Sequence, residues 1–368
     1  MKKIVMIYPA YLTNDRTRIR TGGIQTYLSA LCGVVSPLGF APVLYQCAPE
    51  DFVLRHEGAE IHGLTVPERS LAARALRELS GEEIVIFGSH ELTVPYRGRS
   101  VAIQHGVTWD KPSARSRNIP ESAFIFHRAW QASRRLAPLR SLDALVCVDR
   151  NFVNWYRTQV GHPAVACRVI PNCTHIAPPA PKPEGDLRII FARRFFPYRG
   201  TRIFAEAIAR LLTEYDGLFV TLAGEGPDEE WLRERLGGFH NVEFIRYAPQ
   251  DSLKIHENQH IAVIPTIGSE GTSLSLLEAM SAGCAVVCTD VGGMTDVVLD
   301  GYNGLMIPPS SEALYLALRR LIGDEALRRT LALRARETVA GAFSYERWAE
   351  RWSDLLSDLA DADGGSTL

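Results

Sequence analysis

Short apolar runs alternate with longer amphipathic segments along the first half of the chain. The runs are almost continuously apolar, which is typical of strands buried on both faces of a parallel sheet. The segments between them repeat apolar residues at helical spacing. The pattern predicts strands at 3–8, 41–47, 83–88, 100–104, 144–149 and 167–171, and helices at 24–35, 70–79, 121–136 and 150–159.

A proline-rich segment, APPAPKPEGD at 177–186, interrupts this alternation and predicts an interdomain linker. The alternation then resumes, with strands predicted at 186–192, 218–224, 241–247, 260–265, 285–289 and 304–309. We therefore predict an α/β protein with two Rossmann-like doubly wound domains, 1–176 and 187–343, facing each other across a cleft. A helix over 344–362 and a disordered tail over 363–368 are predicted to follow.

Composition narrows the class of protein. The chain has 368 residues, 46% of them hydrophobic, and a net charge of -2, so no general attraction to nucleic acid is expected. Its seven cysteines show no CxxC spacing, which indicates reduced thiols in a cytoplasmic protein. No apolar run is long enough for a signal peptide or a membrane span. The sequence leaves open whether the protein binds to a membrane surface.

The segment GSEGTSLSLLEAMSAG, at 268–283, joins two predicted strands through a turn and a helix starting near Thr272. Free backbone N–H groups at a helix N-terminus bind anions. Two carboxylates, Glu270 and Glu278, flank that terminus at a spacing of eight residues. A nucleotide-diphosphate sugar suits this arrangement, with Glu278 on the ribose and Glu270 near the sugar. The predicted phosphate-binding backbone is that of Gly271, Thr272 and Ser273.

Other candidates follow other strands, because ligands of open α/β sheets bind beyond the carboxyl ends of the strands. Arg193 and Arg199 follow strand 186–192, and guanidinium groups suit phosphate oxygens. His105 follows strand 100–104 and is a candidate for contact with a sugar hydroxyl. The remaining candidates are the glycine pair Gly22 and Gly23, the basic loop before it with Arg16, Arg18 and Arg20, and Tyr247 as lining of the base pocket.

Several catalytic motifs are missing from the sequence. No Asp-x-Asp follows a predicted strand, and GxxxxGK[ST] and GxSxG do not occur. HExxH occurs once, at 256–260, but its second histidine opens the strand predicted at 260–265, so its two histidines do not lie on one helix face as a zinc site requires. Metal-dependent sugar transfer, zinc hydrolysis and P-loop phosphoryl transfer therefore lose support. We expect neither a metal nor a cofactor.

Four segments, ARRFFPYRG, LAGEGP, EGTSLSLLEAMSAG and TDVGG…DGYNGLMIP, occur in an order that resembles the retaining glycosyltransferases of family 4, which have the GT-B fold. The resemblance implies that Glu270 lies by the donor sugar, that Glu278 binds ribose and that Arg193 and Arg199 hold the diphosphate. It implies active-site roles for His105 and for the loop of Gly22 and Gly23. It also implies a last helix that packs back on the N-terminal domain.

The chain departs from the family pattern at three positions. Arg199 stands where lysine is usual, Cys173 where the family has the glycine of a PNG motif, and Thr272 where an aromatic residue is common. The substitution at Arg199 preserves the positive charge, and the other two remove no charge.

The resemblance implies metal-independent, retaining transfer of a sugar from a nucleotide-diphosphate sugar, UDP being the first guess, to a hydroxyl acceptor. The acceptor would be a glycan, a lipid-linked saccharide or a small glycoside in polysaccharide or glycoconjugate biosynthesis. Two alternatives remain: a nucleotide-sugar epimerase of the same architecture, which needs no acceptor loop, and a non-catalytic nucleotide-sugar-binding protein.

Segment 113–140 is basic and aromatic. It contains Arg115, Arg117, Arg128, Arg134, Arg135 and Arg140 with Phe124, Phe126 and Trp130. A helix of this kind can lie on an anionic membrane. The commoner arrangement, which we favour from sequence, buries one face in the domain and leaves the arginines in water.

Overall fold

The structure is a computed structural model that describes residues 2–106, 120–160, 165–268 and 270–361. It divides into two compact units. The described residues up to Pro171, together with those from Trp348 onward, form the first unit, and Asn172–Arg347 form the second. The predicted tail at 363–368 lies outside the described residues, as do Arg115 and Arg117.

The first unit is built on a sheet of strand order β3-β4-β2-β1-β5-β6-β7-β8. All neighbouring strands are parallel except β3 and β4, which pair antiparallel. The apolar runs of β1, β5, β6 and β7 are fully buried, as expected of central parallel strands. The strands are β1 (Lys3–Ile7), β2 (Ala41–Cys47), β3 (Phe52–His56), β4 (Ala59–Leu64), β5 (Ile84–Phe87), β6 (Ser100–Gln104), β7 (Ala144–Cys147) and β8 (Ala166–Val169).

The β3–β4 hairpin was not predicted from the sequence. Its turn consists of Glu57 and Gly58, which have φ angles of +47° and +82°. A turn with two positive φ angles matches the twist of the flanking strands and favours glycine. Strand β3 lies at the edge of the sheet and alternates between half-buried and exposed residues, so it has no continuous apolar run.

Helices of the first unit pack on this sheet. They are α1 (Gly23–Val35), α2 (Glu68–Ala75), α3 (Glu121–Leu136), α4 (Arg150–Gln159) and, from Trp348 onward, α11 (Tyr345–Asp361). Trp348 and Trp352 of α11 are buried, and the Trp352 Nε1–H donates to the Tyr27 hydroxyl of α1 at 2.8 Å. The last helix thus packs on the N-terminal unit, which confirms that part of the fold prediction.

The second unit contains a wholly parallel sheet of strand order β11-β10-β9-β12-β13-β14. The strands are β9 (Leu187–Ala192), β10 (Leu218–Ala223), β11 (Val242–Ile245), β12 (Ile261–Ile264), β13 (Ala285–Thr289) and β14 (Leu305–Ile307). The helices are α5 (Thr201–Glu214), α6 (Glu229–Leu236), α7 (Lys254–Glu257), α8 (Leu274–Ser281), α9 (Ser311–Gly323) and α10 (Glu325–Ala342). Both faces of the sheet carry an apolar core.

The proline-rich segment 177–186, predicted as a linker, is packed into the second unit. The Ala177 N–H donates to Ser281 Oγ at 2.9 Å, and the Lys182 ammonium donates to the carbonyl oxygens of Glu257 at 2.9 Å and Ala282 at 2.7 Å. Its composition indicated the lack of regular structure correctly. Composition does not show that Ala177 is buried or that Lys182 donates to backbone carbonyls.

Candidate functional site

The predicted charged residues of the second unit meet at the carboxyl ends of its central strands. Arg193 follows β9 directly, and Glu270 follows β12 after a short loop. Because β9 and β12 are neighbours in a parallel sheet, their carboxyl ends share one edge.

Arg193 and Arg199 both bind the carboxylate of Glu270. Arg193 Nη2 donates to Oε1 at 2.5 Å and to Oε2 at 2.7 Å, and Arg199 Nη1 donates to Oε1. The Arg193 side chain is 5% exposed and that of Glu270 12%. Two guanidinium groups against one carboxylate leave the cluster with one net positive charge, partly shielded from water.

The cluster keeps Glu270 ionised. Burial alone would raise the pKa of Glu270, but the charges of Arg193 and Arg199, with hydrogen bonds from Arg193 and Thr266, outweigh it and lower the pKa to about 2. A carboxylate held in this way accepts hydrogen bonds at any physiological pH and is a weak base.

Thr266 joins the cluster, and the sequence analysis did not select it. Its Oγ1 accepts from Arg193 Nη1 at 2.7 Å and donates to Glu270 Oε2 at 2.9 Å. The residue is fully buried, and its carbonyl oxygen accepts from the Thr289 hydroxyl. The available signal was its position as the first polar residue after the apolar strand IAVIP.

Glycines let two other chain segments approach this cluster closely. The Gly293 N–H donates to the Glu270 carbonyl at 2.8 Å, and Gly292 has φ +59°. A Cβ on Gly292 would lie 2.1 Å from that carbonyl oxygen. At Gly200, with φ +82°, a Cβ would lie 1.8 Å from the Pro265 carbonyl oxygen. Both positions therefore require glycine.

The helix of the central segment, α8, begins at Leu274, two residues later than predicted, with Ser273 as its N-cap. Gly271, Thr272 and Ser273 are buried and lead into its first turn. The Thr272 carbonyl accepts from Asn172 Nδ2 at 2.6 Å, which fixes the backbone just before the helix. First-turn N–H groups have no acceptor within a helix, so they remain available for an anion.

Glu278 lies on α8 in different surroundings. Its Oε1 accepts from the Ser252 hydroxyl at 2.7 Å, and burial raises its pKa to about 7, with the Ser252 bond opposing. Burial and the charge of Glu278 raise the pKa of Tyr247 to about 12, while Arg193 lowers it. The charges of both Glu278 and Arg193 act on the Tyr247 hydroxyl, so this predicted base-pocket residue lies near both side chains.

The predicted residues of the first unit form a separate group. His105 follows β6, and its ring meets Tyr27 of α1 edge-on, with 5.0 Å between centroids. Burial, and then the neighbouring His90, lower the pKa of His105 to about 3, so the ring is neutral. Its buried Nε2 has no hydrogen-bond partner among the described residues. Gly23 begins α1 and Gly22 caps it in an extended conformation.

Most of the basic loop is held by the first unit itself. Arg16 pairs with Glu50 and lies 4.3 Å from the centroid of the Phe52 ring. Arg20 donates to the Leu12 carbonyl at 2.9 Å and to Asn14 Oδ1 at 2.6 Å. Arg18 is exposed.

A cavity of about 940 Å³ lies at the opposite edge of the second sheet. It is lined by Leu187 and Leu218, the first residues of their strands, and by His260 just before β12. Ligands of open α/β sheets bind at the carboxyl ends, so this cavity does not belong to the candidate site.

The structure therefore brings Arg193, Arg199 and Glu270 into direct contact and places Glu278 and Tyr247 near one another. Within the described part of the chain, no group of three or more His, Cys, Asp or Glu side chains is arranged to hold a metal. The expectation that no metal is needed stays a prediction. None of the described helices is long and apolar enough to cross a bilayer.

Sequence comparison finds one matching family model and several similar proteins. The family model described as "Glycosyl transferases group 1" matches residues 186–324. The chain is 28% identical over 226 residues to an exopolysaccharide phosphotransferase of Streptomyces coelicolor, covering 60% of this chain and only 24% of that protein. It is 24% identical over 308 residues to the lipopolysaccharide 1,2-N-acetylglucosaminetransferase of Salmonella typhimurium, covering 73% of this chain and 78% of that one.

Solved structures share the fold at low identity. Sucrose-phosphate synthase from Thermosynechococcus elongatus superposes with a TM-score of 0.78 and 19% identity, covering 98% of this chain and 100% of that one. Anabaena HepE in complex with UDP-glucose gives a TM-score of 0.72 and 15% identity, covering 97% and 100%. These similarities identify two Rossmann-like units of the GT-B fold. The chain is thus similar to the group 1 glycosyl transferases in sequence over residues 186–324 and shares the GT-B fold over nearly its whole length.

Proposed function

We propose that the protein is a metal-independent, retaining glycosyltransferase that moves a sugar from a nucleotide-diphosphate sugar to a hydroxyl acceptor. The observation that carries this proposal is the cluster of Arg193, Arg199 and Glu270 at the carboxyl edge of the second sheet. It combines two cations for a leaving diphosphate with a carboxylate for sugar hydroxyls.

The cations would act on the charge that develops as the diphosphate leaves. Phosphate oxygens compete with Glu270 for the guanidinium groups of Arg193 and Arg199, which are fork-shaped donors suited to phosphate. The N-terminus of α8 adds N–H groups on the same anion. Such preorganised donors stabilise the transition state electrostatically and supply the positive charge that a divalent metal would otherwise bring. Glu270, partly released from the arginines, accepts from hydroxyls of the donor sugar.

Glu278 would hold the nucleoside part of the donor. Its carboxylate accepts hydrogen bonds from ribose hydroxyls, with the ring of Tyr247 beside the base. The pKa of about 7 means that the accepting, ionised form of Glu278 is only partly populated near neutral pH. Donor binding then favours ionisation.

Retention would follow from attack on the face from which the diphosphate leaves. The bond between C1 and the phosphate oxygen breaks, the acceptor oxygen bonds to C1, and the acceptor proton passes to the leaving phosphate oxygen. Glu270 is a poor covalent nucleophile because two guanidinium groups hold its charge. The neutral ring of His105, with an open Nε2, suits a hydrogen bond to a sugar hydroxyl.

UDP is the nucleotide that we propose first, because a protein of the same fold holds UDP-glucose. Names of relatives that include lipopolysaccharide and exopolysaccharide support an acceptor in polysaccharide or glycoconjugate synthesis. We propose a cytoplasmic location.

The test is incubation with UDP-, GDP-, ADP- and dTDP-sugars, with and without hydroxyl acceptors, with and without EDTA. We expect acceptor-dependent release of nucleoside diphosphate that EDTA leaves unchanged, and a product whose anomeric proton coupling matches that of the donor. Arg199→Gln should abolish the release of nucleoside diphosphate, while Glu225→Gln, at an exposed side chain, should not. If the donor is converted to an isomer in the absence of acceptor, the protein is an epimerase. If the donor binds but is not turned over, the protein is a non-catalytic binding protein.

A further inference from the structure

Helix α3 presents two large aromatic side chains to water. Phe126 is 79% exposed and Trp130 is 54% exposed. The buried residues of α3 are Ala132 and Leu136, which lie one turn apart and define the side that faces the first unit. At about 100° per residue, Phe126 lies about 100° and Trp130 about 140° around the helix from the midpoint of that side, so neither ring faces the first unit. The structure thus buries one side of α3 in the first unit, as favoured from sequence, and leaves these two aromatic rings in water.

Helix α3 and the turn that follows it are cationic. Residues 122–142 contain four arginines and neither aspartate nor glutamate, in a chain whose net charge is -2. The guanidinium of Arg134 lies 4.9 Å from the centroid of the Trp130 ring. Arg135 pairs with Glu91 of the first unit, whereas Arg134 and Arg140 have no acidic partner in the part of the chain that the structure describes.

We propose that Phe126, Trp130 and Arg134, the α3 outer face, rest on an anionic lipid surface. Aromatic rings one turn apart enter the boundary between headgroups and acyl chains, where an apolar ring is buried without losing contact with water at its edge. Arginines beside them reach lipid phosphates and gain from the negative surface potential.

A lipid surface fits these features better than a folded protein partner. Single exposed apolar residues are common and carry no meaning. Here two aromatic residues repeat at i and i+4, with an arginine at the next i+4 position. A bilayer accepts such a narrow stripe without shape complementarity, while a stable protein interface needs a much larger patch. The inference goes beyond the proposed reaction and does not depend on it, since lipid binding requires no donor.

Co-sedimentation of the full chain with vesicles tests it. We expect binding to vesicles of phosphatidylcholine with phosphatidylglycerol, and little to phosphatidylcholine alone. Phe126→Ala with Trp130→Ala should reduce partition roughly tenfold or more. Arg134→Gln with Arg140→Gln should reduce it roughly twentyfold at low salt, with a smaller effect at high salt, because each arginine near the surface contributes about fivefold.

Matched variants carry the same chemical changes elsewhere. Leu316→Ala with Leu333→Ala removes two exposed apolar side chains of the second unit, and Arg319→Gln with Arg320→Gln removes two exposed charges. Both should sediment like the parent chain, and all variants should melt within a few degrees of it. Equal sedimentation of the α3 variants and the parent, or no binding to anionic vesicles, would overturn the proposal. A dimer in light scattering that disappears in Phe126→Ala with Trp130→Ala would replace the lipid with a second copy of the chain.

Discussion

The loop before α8 and the body of α8 each contain a glutamate shielded from water, and the two carboxyl groups behave in opposite ways. Glu270 in the loop meets two guanidinium groups and has a pKa of about 2. Glu278 on the helix meets one neutral hydroxyl and has a pKa of about 7. Burial raises both pKa values, so the difference comes mainly from the two cations beside Glu270, with a smaller part from the Thr266 hydrogen bond. Residue type and burial therefore say little about charge until the partners are known.

The opposite pKa shifts predict opposite effects on stability. The lowered pKa of Glu270 contributes stability above its unfolded pKa of 4.5, which is lost as the pH falls through about 2. The raised pKa of Glu278 works the other way: the folded state binds the proton more tightly, and stability falls as the pH rises from 4.5 through about 7.

The largest effect is expected from Glu270→Gln. It leaves Arg193 and Arg199 buried without their counter-charge, which should lower the free energy of unfolding by about 3–5 kcal/mol. Denaturation in urea at neutral pH measures this. Glu225→Gln, at an exposed pair with Arg246, should change it by less than about 0.5 kcal/mol. A loss at Glu270 no larger than at Glu225 would contradict the buried ion cluster.

Glu278→Gln should instead stabilise the protein at alkaline pH. The raised pKa of Glu278 costs at most about 3 kcal/mol above pH 7, since a tenfold change in an acid dissociation constant corresponds to about 1.4 kcal/mol. The neutral amide has no such cost. We expect the free energies of unfolding of parent and variant to agree at about pH 5 and to diverge by about pH 8, the parent being less stable.

The control for this experiment is the exposed Glu225→Gln variant, whose difference from the parent should not change over the same pH range. If the parent and Glu278→Gln keep a constant difference between about pH 5 and about pH 8, Glu278 does not titrate there, and its contrast with Glu270 disappears.

The sequence located both glutamates, but it did not show that the pKa of one is lowered and that of the other is raised. The strand–helix alternation and the turn into α8 located both glutamates, and the position of Arg193 after a strand located one of the cations. The carboxyl ends of parallel strands share an edge, so residues after β9 and β12 had to be neighbours. Nothing in the spacing shows that Arg199 reaches Glu270 rather than Glu278, because that depends on the turn before Gly200 and on side-chain direction.

Other features left weak signals or none. The β3–β4 hairpin lacks the apolar run that marked the other strands, and only the Glu57–Gly58 pair indicated a turn. The sequence did not assign the outward side of α3, because two sides of that helix carry apolar residues and periodicity does not say which one the domain buries. Segment 177–186 showed that composition identifies irregular chain but not what it packs against.

A smaller effect is expected at Thr266, which orients Glu270 and has no counterpart beside Glu278. Thr266→Val keeps the shape and removes the hydroxyl that accepts from Arg193 and donates to Glu270. We expect a loss of about 1–2 kcal/mol in the free energy of unfolding and, with an active donor, kcat roughly tenfold lower with little change in KM. Thr266→Ser, which keeps the hydroxyl, should retain most of the parent's free energy of unfolding and most of its kcat. A change in KM alone would indicate a role in donor binding rather than in orienting the cluster.

The smallest effect is expected at Ser252, the hydroxyl that donates to Glu278. Ser252→Ala removes a hydrogen bond that favours the carboxylate, so the pKa of Glu278 should rise further. The pH at which the fall in stability levels off should rise with it, by less than about one pH unit, in the direction opposite to any change that brings a cation near. Ser353→Ala, which also removes a serine hydrogen bond but one to a chain carbonyl, should leave that pH unchanged. If Ser252→Ala lowered it instead, the hydroxyl would be accepting from a protonated Glu278. The two glutamates would then differ in protonation at neutral pH and not only in pKa.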